Sequence, residues 1–148
     1  MEKIVIGSDH AAFDMKAAAI EYLKNTYRIE IVDVGAYDRE RVDYPDYAAK
    51  VCELVQKDGD ASGILICGTG IGMSIAANKF RGIRAALCHD AYTASMARAH
   101  NDANALCFGS RAIGAGVMES IIDAWLNVAF EGGRHALRLE KIAKLEAK

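Results

Sequence analysis

The sequence has little excess charge of either sign. Its 148 residues include 18 Lys and Arg and 20 Asp and Glu, so the formal net charge is −2. Proteins that bind nucleic acids or anionic membranes through their overall field carry a positive excess. We therefore expect neither a nucleic acid partner nor a membrane partner, and an anionic ligand would have to be held by local basic side chains.

Long apolar runs are also missing. The run near the N-terminus, within residues 1–7, is shorter than the roughly 7–15 residues of a signal peptide, and no span approaches the ~20 apolar residues of a membrane helix. Cys52, Cys67, Cys88 and Cys107 lie far apart, and no set of histidines, cysteines and carboxylates has metal-ligand spacing. We expect free thiols, a cytoplasmic location, and neither a metal nor another cofactor.

The chain has one proline and no linker, internal repeat or low-complexity tract, which favours a single domain over residues 1–148. Short β-branched apolar runs alternate with helical patterns, as in a parallel sheet built from βαβ units. The predicted strands are residues 3–7, 29–34, 63–67, 84–87 and 105–109. The sequence therefore predicts an α/β fold with a five-stranded parallel sheet, for which we take the strand order 2-1-3-4-5.

The segments between these strands carry helical periodicity. Helices are predicted around Ala12, Met15, Ala19 and Leu23, around Tyr47, Val51, Leu54 and Val55, over residues 91–100 and 113–130, and from the break at 131–133 to near Lys148. The polar stretch 35–45 is predicted to be a long functional loop. Ligands of parallel sheets bind outside the carboxyl ends of the strands, so residues that follow strands are the first candidates for a site.

The most informative motif follows the third strand. Residues 67–74, Cys-Gly-Thr-Gly-Ile-Gly-Met-Ser, combine a strand end, three alternating glycines and a helix start. Such a loop can point several N–H groups into one cavity, which suits an oxyanion and favours the Cys67 thiolate. The alternative is a packed cysteine followed by a tight turn. The third glycine is misplaced for a dinucleotide fingerprint, and Met73 occupies the arginine position of a C-x5-R phosphatase.

Four histidines and one aspartate need separate interpretations. Asp9 and His10 follow the first strand and could bind sugar hydroxyls or move protons, although Asp9 could instead cap a helix. His100, at a predicted helix end, could donate a proton, but a histidine there is more often a surface cap. We assign that simpler surface position to His89 and His135.

Three arginines could hold a phosphate. Arg111 follows the fifth strand, and Arg134 and Arg138 lie four residues apart on one face of the last predicted helix. Guanidinium groups bind phosphate oxygens in bidentate fashion, so the three could form a clamp. The alternative for the helical pair is a solvated charged face.

Taken together, these motifs closely resemble the type-B ribose-5-phosphate isomerases, nearly along the whole chain and in the same order. They are Gly-Ser-Asp-His at 7–10, Asp-Tyr-Pro at 43–45, Ile-Cys-Gly-Thr-Gly-Ile-Gly at 66–72, Ala-Ala-Asn-Lys at 76–79, His-Asn-Asp at 100–102 and Glu-Gly-Gly-Arg-His at 131–135. That family also contains allose- and galactose-6-phosphate isomerases. The resemblance implies a Rossmann-like three-layer sandwich, a homodimer or dimer of dimers, and active sites at the subunit interface.

The resemblance also implies roles for individual residues. Cys67 would be the base that moves a proton from C2 to C1, Thr69 would move the proton between O1 and O2, and His100 would open the furanose ring. The backbone that stabilises the enediolate would come from Gly68, Gly70, Ile71 and Gly72. The residues that hold the sugar and its phosphate would be Asp9, His10, Asn101, Arg111, Arg134 and Arg138. Some family members place a glutamate base after the glycine loop, but Met73 stands there in this chain, so the cysteine version applies.

The expected reaction is the interconversion of ribose 5-phosphate and ribulose 5-phosphate through a cis-enediolate, as in the pentose phosphate pathway. Two alternatives stay open. The chain could act on allose 6-phosphate or galactose 6-phosphate, in the latter case as one subunit of a hetero-oligomer. It could also be a phosphate-binding module without catalysis, although such a module would not need a base at Cys67.

Overall fold

A computed structural model describes residues 3–148 as one five-stranded sheet flanked by six α-helices. The strands are β1 (Lys3–Ser8), β2 (Glu30–Asp33), β3 (Ala61–Cys67), β4 (Ala85–Leu87) and β5 (Ala105–Gly109). The helices are α1 (Phe13–Thr26), α2 (Tyr44–Lys57), α3 (Ile71–Ala77), α4 (Ala91–Ala99), α5 (Ala115–Asn127) and α6 (Arg134–Glu146), and a short 3-10 turn (His10–Ala12) precedes α1. No helix among these residues is long and apolar enough to cross a membrane.

All strand pairs are parallel, and the order is β2-β1-β3-β5-β4. The five strands and their parallel arrangement confirm the predicted sheet, but the order 2-1-3-4-5 was wrong for the last two strands. Every residue of β5 is buried, whereas the three residues of β4 are half-buried. The longer, wholly apolar strand therefore takes the interior position, and the short strand forms the edge.

Side chains alternate between the two faces of the sheet and make two cores. Ile4, Ile64 and Phe108 point to the face covered by α1, α4 and α5, where Trp125 is fully buried. Residues at intervening positions, such as Val5 and Leu65, point to the face covered by α2 and α3. This period of two, with helices on both faces, produces the predicted three-layer sandwich.

The helices differ from their predicted limits mainly at their ends. Helix α2 begins at Tyr44, inside the stretch predicted to be loop, because Pro45 occupies its first turn, where a missing N–H costs nothing. Helix α5 is shorter than the predicted 113–130, since Gly114 precedes its first residue and Val128, directly after its last residue, has an extended backbone.

A buried lysine anchors the loop between β2 and α2. Lys16 of α1 is 1% exposed, and its ammonium donates to the Asp33 carboxylate and to the Ala36 carbonyl oxygen at 2.7 Å. Asp33 also accepts the N–H of Gly35 at 2.9 Å. This hydrogen-bonded ion pair, in which the lysine is buried and the aspartate half-buried, holds the start of the loop against α1, next to the carboxyl end of β1.

Candidate active site

Cys67 is the last residue of β3, and its sulfur faces the glycine loop that joins β3 to α3. The N–H of Gly70 donates to Cys67 Sγ at 3.2 Å, which places a fixed dipole beside the sulfur and stabilises negative charge on it. The chain is also held from the neighbouring strand, because the N–H of Ser110 donates to the Cys67 carbonyl at 2.9 Å. The sulfur and the loop amides therefore form one rigid unit.

The loop needs its glycines for steric reasons. Gly70 has φ +79°, and a Cβ there would lie 2.7 Å from the backbone of Phe108. A Cβ on Gly72 would lie 2.5 Å from the ring of Tyr44, which covers the start of α3. Thr69 packs against Gly109, and its Oγ1 accepts the N–H of Ile71 at 3.2 Å, so the hydroxyl hydrogen stays available to a ligand.

Asp9 and His10 follow β1, which lies beside β3 in the sheet. Asp9 accepts the N–H of Ala12 at 3.2 Å, so the helix-capping interpretation of Asp9 is confirmed, and the same residue also lines the cleft that contains Cys67. His10 Nδ1 accepts the N–H of Val42 at 3.2 Å. The neutral His10 ring therefore carries its hydrogen on Nε2, which makes that nitrogen a donor.

Asp9, Cys67 and the glycine loop meet in an open cleft of about 410 Å³ at the carboxyl edge of the sheet, the side on which the strands end. Its lining residues are Asp9, Tyr44, Cys67, Gly68, Thr69, Ile71, Gly72 and Ile75. Arg111 stands beside the cleft, because its N–H donates to the Gly68 carbonyl at 2.9 Å and a Cβ on Gly68 would lie 3.6 Å from its Nη1. One positive charge is thus held at the rim by the chain itself.

The other predicted site residues lie at the amino edge of the sheet, the side on which the strands begin. His100 ends α4, five residues before β5 begins, whereas Cys67 pairs with Gly109 at the far end of β5. The five residues of β5 separate the two edges by about 13 Å, at ~3.3 Å per residue. The remaining residues at the His100 edge are Asn101, Arg134 and Arg138. Within one chain the predicted site residues therefore lie in two separate groups.

His135 occupies a position that the sequence analysis did not predict. It is 5% exposed, and its ring stacks on His100 with centroids 4.2 Å apart and an interplanar angle of 10°. Glu131 lies beside both rings, 3.4 Å from His135 Nε2 and 3.9 Å from His100 Nε2. Burial is the main cause that lowers the pKa of His135. The surface position expected for His135 was therefore wrong, and the fold brings together two histidines and a carboxylate whose spacing in the sequence did not indicate a cluster.

The sequence feature that determines the position of His135 is the break before α6. The N–H of Glu131 donates to the carbonyl of Ala99 at 3.0 Å, which ties residues 131–133 to the end of α4. Gly132 and Gly133 both have positive φ, and they turn the chain so that the first turn of α6 covers His100. Sequence spacing alone could not show this, because His100 and His135 come from different helices.

The fold and the cleft define a class of protein, a parallel α/β domain with a thiol and a glycine loop at the carboxyl edge of its sheet. The family model described as Ribose/Galactose Isomerase matches residues 4–142. The chain belongs to this family, and the resemblance seen in its motifs is confirmed.

Individual relatives agree along nearly their whole length. Ribose-5-phosphate isomerase B of Escherichia coli is 47% identical over 146 residues, which cover 99% of this chain and 97% of the relative. The solved structure of ribose-5-phosphate isomerase B from Clostridium thermocellum superposes with a TM-score of 0.94 at 49% identity, covering 98% and 97% of the two chains. The enzyme from Mycoplasma genitalium, solved with bound ribulose-5-phosphate, gives 0.93 at 42% identity, covering 99% and 97%.

Proposed function

We propose that this chain interconverts ribose 5-phosphate and ribulose 5-phosphate, with Cys67 as the base. The observation that carries the proposal is the Cys67 sulfur in the cleft, 3.2 Å from an amide N–H of the glycine loop. As a thiolate this sulfur would take a proton from carbon, and further N–H groups of the same loop can receive the oxygen that becomes charged. The named activity of the full-length relatives supports the same reaction.

In the proposed reaction the thiolate takes the proton from C2 of the open-chain aldose. The electrons of that C–H bond form the C1–C2 double bond, and the carbonyl electrons move to O1 to give the cis-enediolate. The Thr69 hydroxyl then transfers the proton of O2 to O1. The Cys67 thiol returns its proton to C1, the C2 carbonyl forms, and the thiolate is restored.

The backbone amides of the loop would stabilise the enediolate oxygens. Of the four loop residues predicted for this role, Gly70 and Ile71 already donate their N–H groups to Cys67 and Thr69. The N–H groups of Gly68 and Gly72 are therefore the donors that we assign to the enediolate oxygens. Such fixed donors can do the work that a metal ion does in other carbonyl chemistry. We therefore propose a reaction that needs neither a metal nor a cofactor.

We propose that a second copy of the chain completes each site. His100, which would open the furanose ring, and Asn101, which would hold the sugar, lie about 13 Å or more from Cys67, too far to act on one pentose within a chain. Arg134 and Arg138 are exposed on α6 at the same edge. Arg111 and the Nε2–H of His10 would bind the phosphate from the chain that provides Cys67.

Exposed apolar side chains support this assembly. Leu137 and Leu145 on α6 are 61% and 67% exposed, and Ile71 and Ile75 beside the cleft are 50% and 59% exposed. Apolar side chains clustered on two surfaces are typical of subunit contacts. The proposed assembly is a homodimer or a dimer of dimers.

A base that must stay a thiolate also requires a reducing compartment, so we propose a cytoplasmic location.

The proposal is tested by assaying ribose 5-phosphate, allose 6-phosphate and galactose 6-phosphate with the purified chain in excess chelator. We expect full activity without metal, and a kcat/KM for ribose 5-phosphate at least ~10-fold above the hexose phosphates, because one extra carbon misplaces C2 relative to the sulfur. The family description covers galactose as well as ribose isomerases. Faster turnover of a hexose 6-phosphate would replace the pentose assignment, and no turnover of any sugar would favour a binding module.

A further inference from the structure

We propose that His100, Glu131 and His135 form a binding site for a divalent transition-metal ion such as Zn²⁺, and that the bound ion inhibits the enzyme. The inhibition rests on the proposed function, in which His100 opens the sugar ring. Among residues 3–148 these three side chains are the histidine, cysteine and carboxylate groups that lie closely enough together to share one ion. Their ligand atoms are all within 4.8 Å of one another.

The distances are near those of a tetrahedral site. Bonds of ~2.0–2.1 Å at tetrahedral angles place two ligand atoms about 3.3 Å apart. The separation between His135 Nε2 and Glu131 Oε2 is 3.4 Å, and that between His100 Nε2 and Glu131 Oε2 is 3.9 Å. Rotation of the His100 side chain would therefore bring all three to one ion, with the fourth position open to water.

The state of His135 points to a ligand. Its Nε2 is buried and has no hydrogen-bond partner, although a buried polar atom without a partner is unfavourable. Two imidazoles and one carboxylate are also a donor set that Zn²⁺ and other first-row transition-metal ions prefer. The nearby Arg134 and Arg138 oppose a cation, so we expect micromolar rather than nanomolar affinity.

Binding would change the position of His100. An ion bonded to both imidazoles lies in the plane of each ring, but the rings are now nearly parallel at 10°. His135 is held by its buried position, whereas the side chain of His100 is 38% exposed and can rotate out of the stack. The ion would thus occupy an imidazole nitrogen of the residue that we assign to ring opening and would also turn the ring away from a substrate.

The test is calorimetric titration of the full-length protein with Zn²⁺ in phosphate-free buffer, together with activity at the same zinc concentrations. We expect one ion per chain and inhibition that a chelator reverses. Glu131→Gln and His135→Gln should each raise the dissociation constant and the half-inhibiting zinc concentration at least ~10-fold. Glu131 is exposed, so its variant keeps the test sound if His135→Gln destabilises the fold.

Two control variants separate this site from others. His89→Ala removes an exposed histidine and should leave zinc binding unchanged. Cys67→Ala should keep one zinc site per chain, because the thiol is at the other edge of the sheet. If zinc binding survives Glu131→Gln and His135→Gln but is lost in Cys67→Ala, the proposal is overturned. Binding needs no turnover, so zinc binding at this cluster in a chain that isomerises no sugar would refute the proposed function alone.

Discussion

Cys67 differs from the other three cysteines in what surrounds its sulfur. Burial raises the pKa of Cys52 to about 12 and that of Cys88 to about 11, and it raises the pKa of Cys107 far above the ordinary value. Cys67 instead receives an N–H and lines an open cleft. Alkylation requires the thiolate, so the four thiols should react at very different rates.

We therefore expect iodoacetamide near pH 7.5 to modify Cys67 alone in the folded protein. Peptide mass mapping should find one modified cysteine per chain, and loss of activity should follow that modification. Ribose 5-phosphate should slow both processes to the same extent. Modification of Cys52, Cys88 or Cys107 ahead of Cys67, or full activity after Cys67 is alkylated, would contradict the assigned base.

Site residues that directly follow a strand could be predicted from the sequence, because the carboxyl ends of parallel strands meet at one edge. Asp9, Cys67 and Arg111 are of this kind, and the structure places all three at that edge. The surroundings of His135 could not be predicted, since its burial depends on how α6 packs against α4. Position along the chain also did not show that His100 lies across the sheet from Cys67.

At the scale of elements, the contact between α2 and α3 shapes the cleft. Tyr44 opens α2, and its ring lies where a side chain on Gly72 would be. Gly72→Ala should therefore displace the ring or the loop, and we expect kcat/KM to fall about 10–100-fold through misplacement of the loop amides. Gly116→Ala, in α5 with no atom within 4 Å of the added Cβ, should keep full activity.

A double variant shows whether the ring causes the loss. In a Tyr44→Ala background the ring that the added methyl group would meet is gone, so Gly72→Ala should cost clearly less than it does in the native chain. Activities of the four chains in the cycle provide the comparison. Equal losses in both backgrounds would mean that Gly72 is needed for a reason other than Tyr44.

The contact between α4 and α6 should make stability depend on pH. Burial first, and then the charges of His100, Arg134 and Arg138, lower the pKa of His135 below its ordinary value near 6.5, while Glu131 acts in the opposite direction. Below pH ~6.5 the unfolded chain therefore binds a proton at His135 that the folded chain does not. The free energy of unfolding should decrease as the pH falls from about 6.5 to the folded pKa.

Urea unfolding between pH 7.5 and 5 measures this effect. His135→Gln should lose less stability over that range than the native chain, because its side chain does not titrate. His89→Gln, which changes an exposed histidine, should follow the native curve. If the native chain and His135→Gln lose the same free energy of unfolding over this range, His135 has the same pKa in the folded and unfolded chains.

The elements themselves were largely predictable, because alternating apolar runs and helical stripes record which face each segment buries. Every predicted strand is present within two residues of its expected ends. The strand order was not predictable in the same way, since β4 and β5 are both short and apolar. What separates them is how much of each strand the helices cover, and that depends on the whole assembly of the domain.

At the scale of the whole molecule, the sheet divides the predicted chemistry between two edges. The base and the enediolate-binding loop are at one edge, and the proposed ring-opening acid with the pair Arg134 and Arg138 is at the other. A net charge of −2 provides no general attraction for a sugar phosphate, so these local arginines matter more. Each chain should then bind and convert substrate only when a second chain supplies the missing half.

Mixing two inactive variants tests this division directly. Cys67→Ala lacks the base, with a loss in kcat of at least ~10²-fold, and the double variant Arg134→Ala, Arg138→Ala lacks one part of the phosphate clamp. When equal amounts are unfolded together and refolded, half of the dimers contain one chain of each kind. One of the two sites in such a dimer is intact, so we expect about a quarter of native activity. Each variant refolded alone provides the baseline, and a mixture that stays at that baseline would mean that each site is built from one chain.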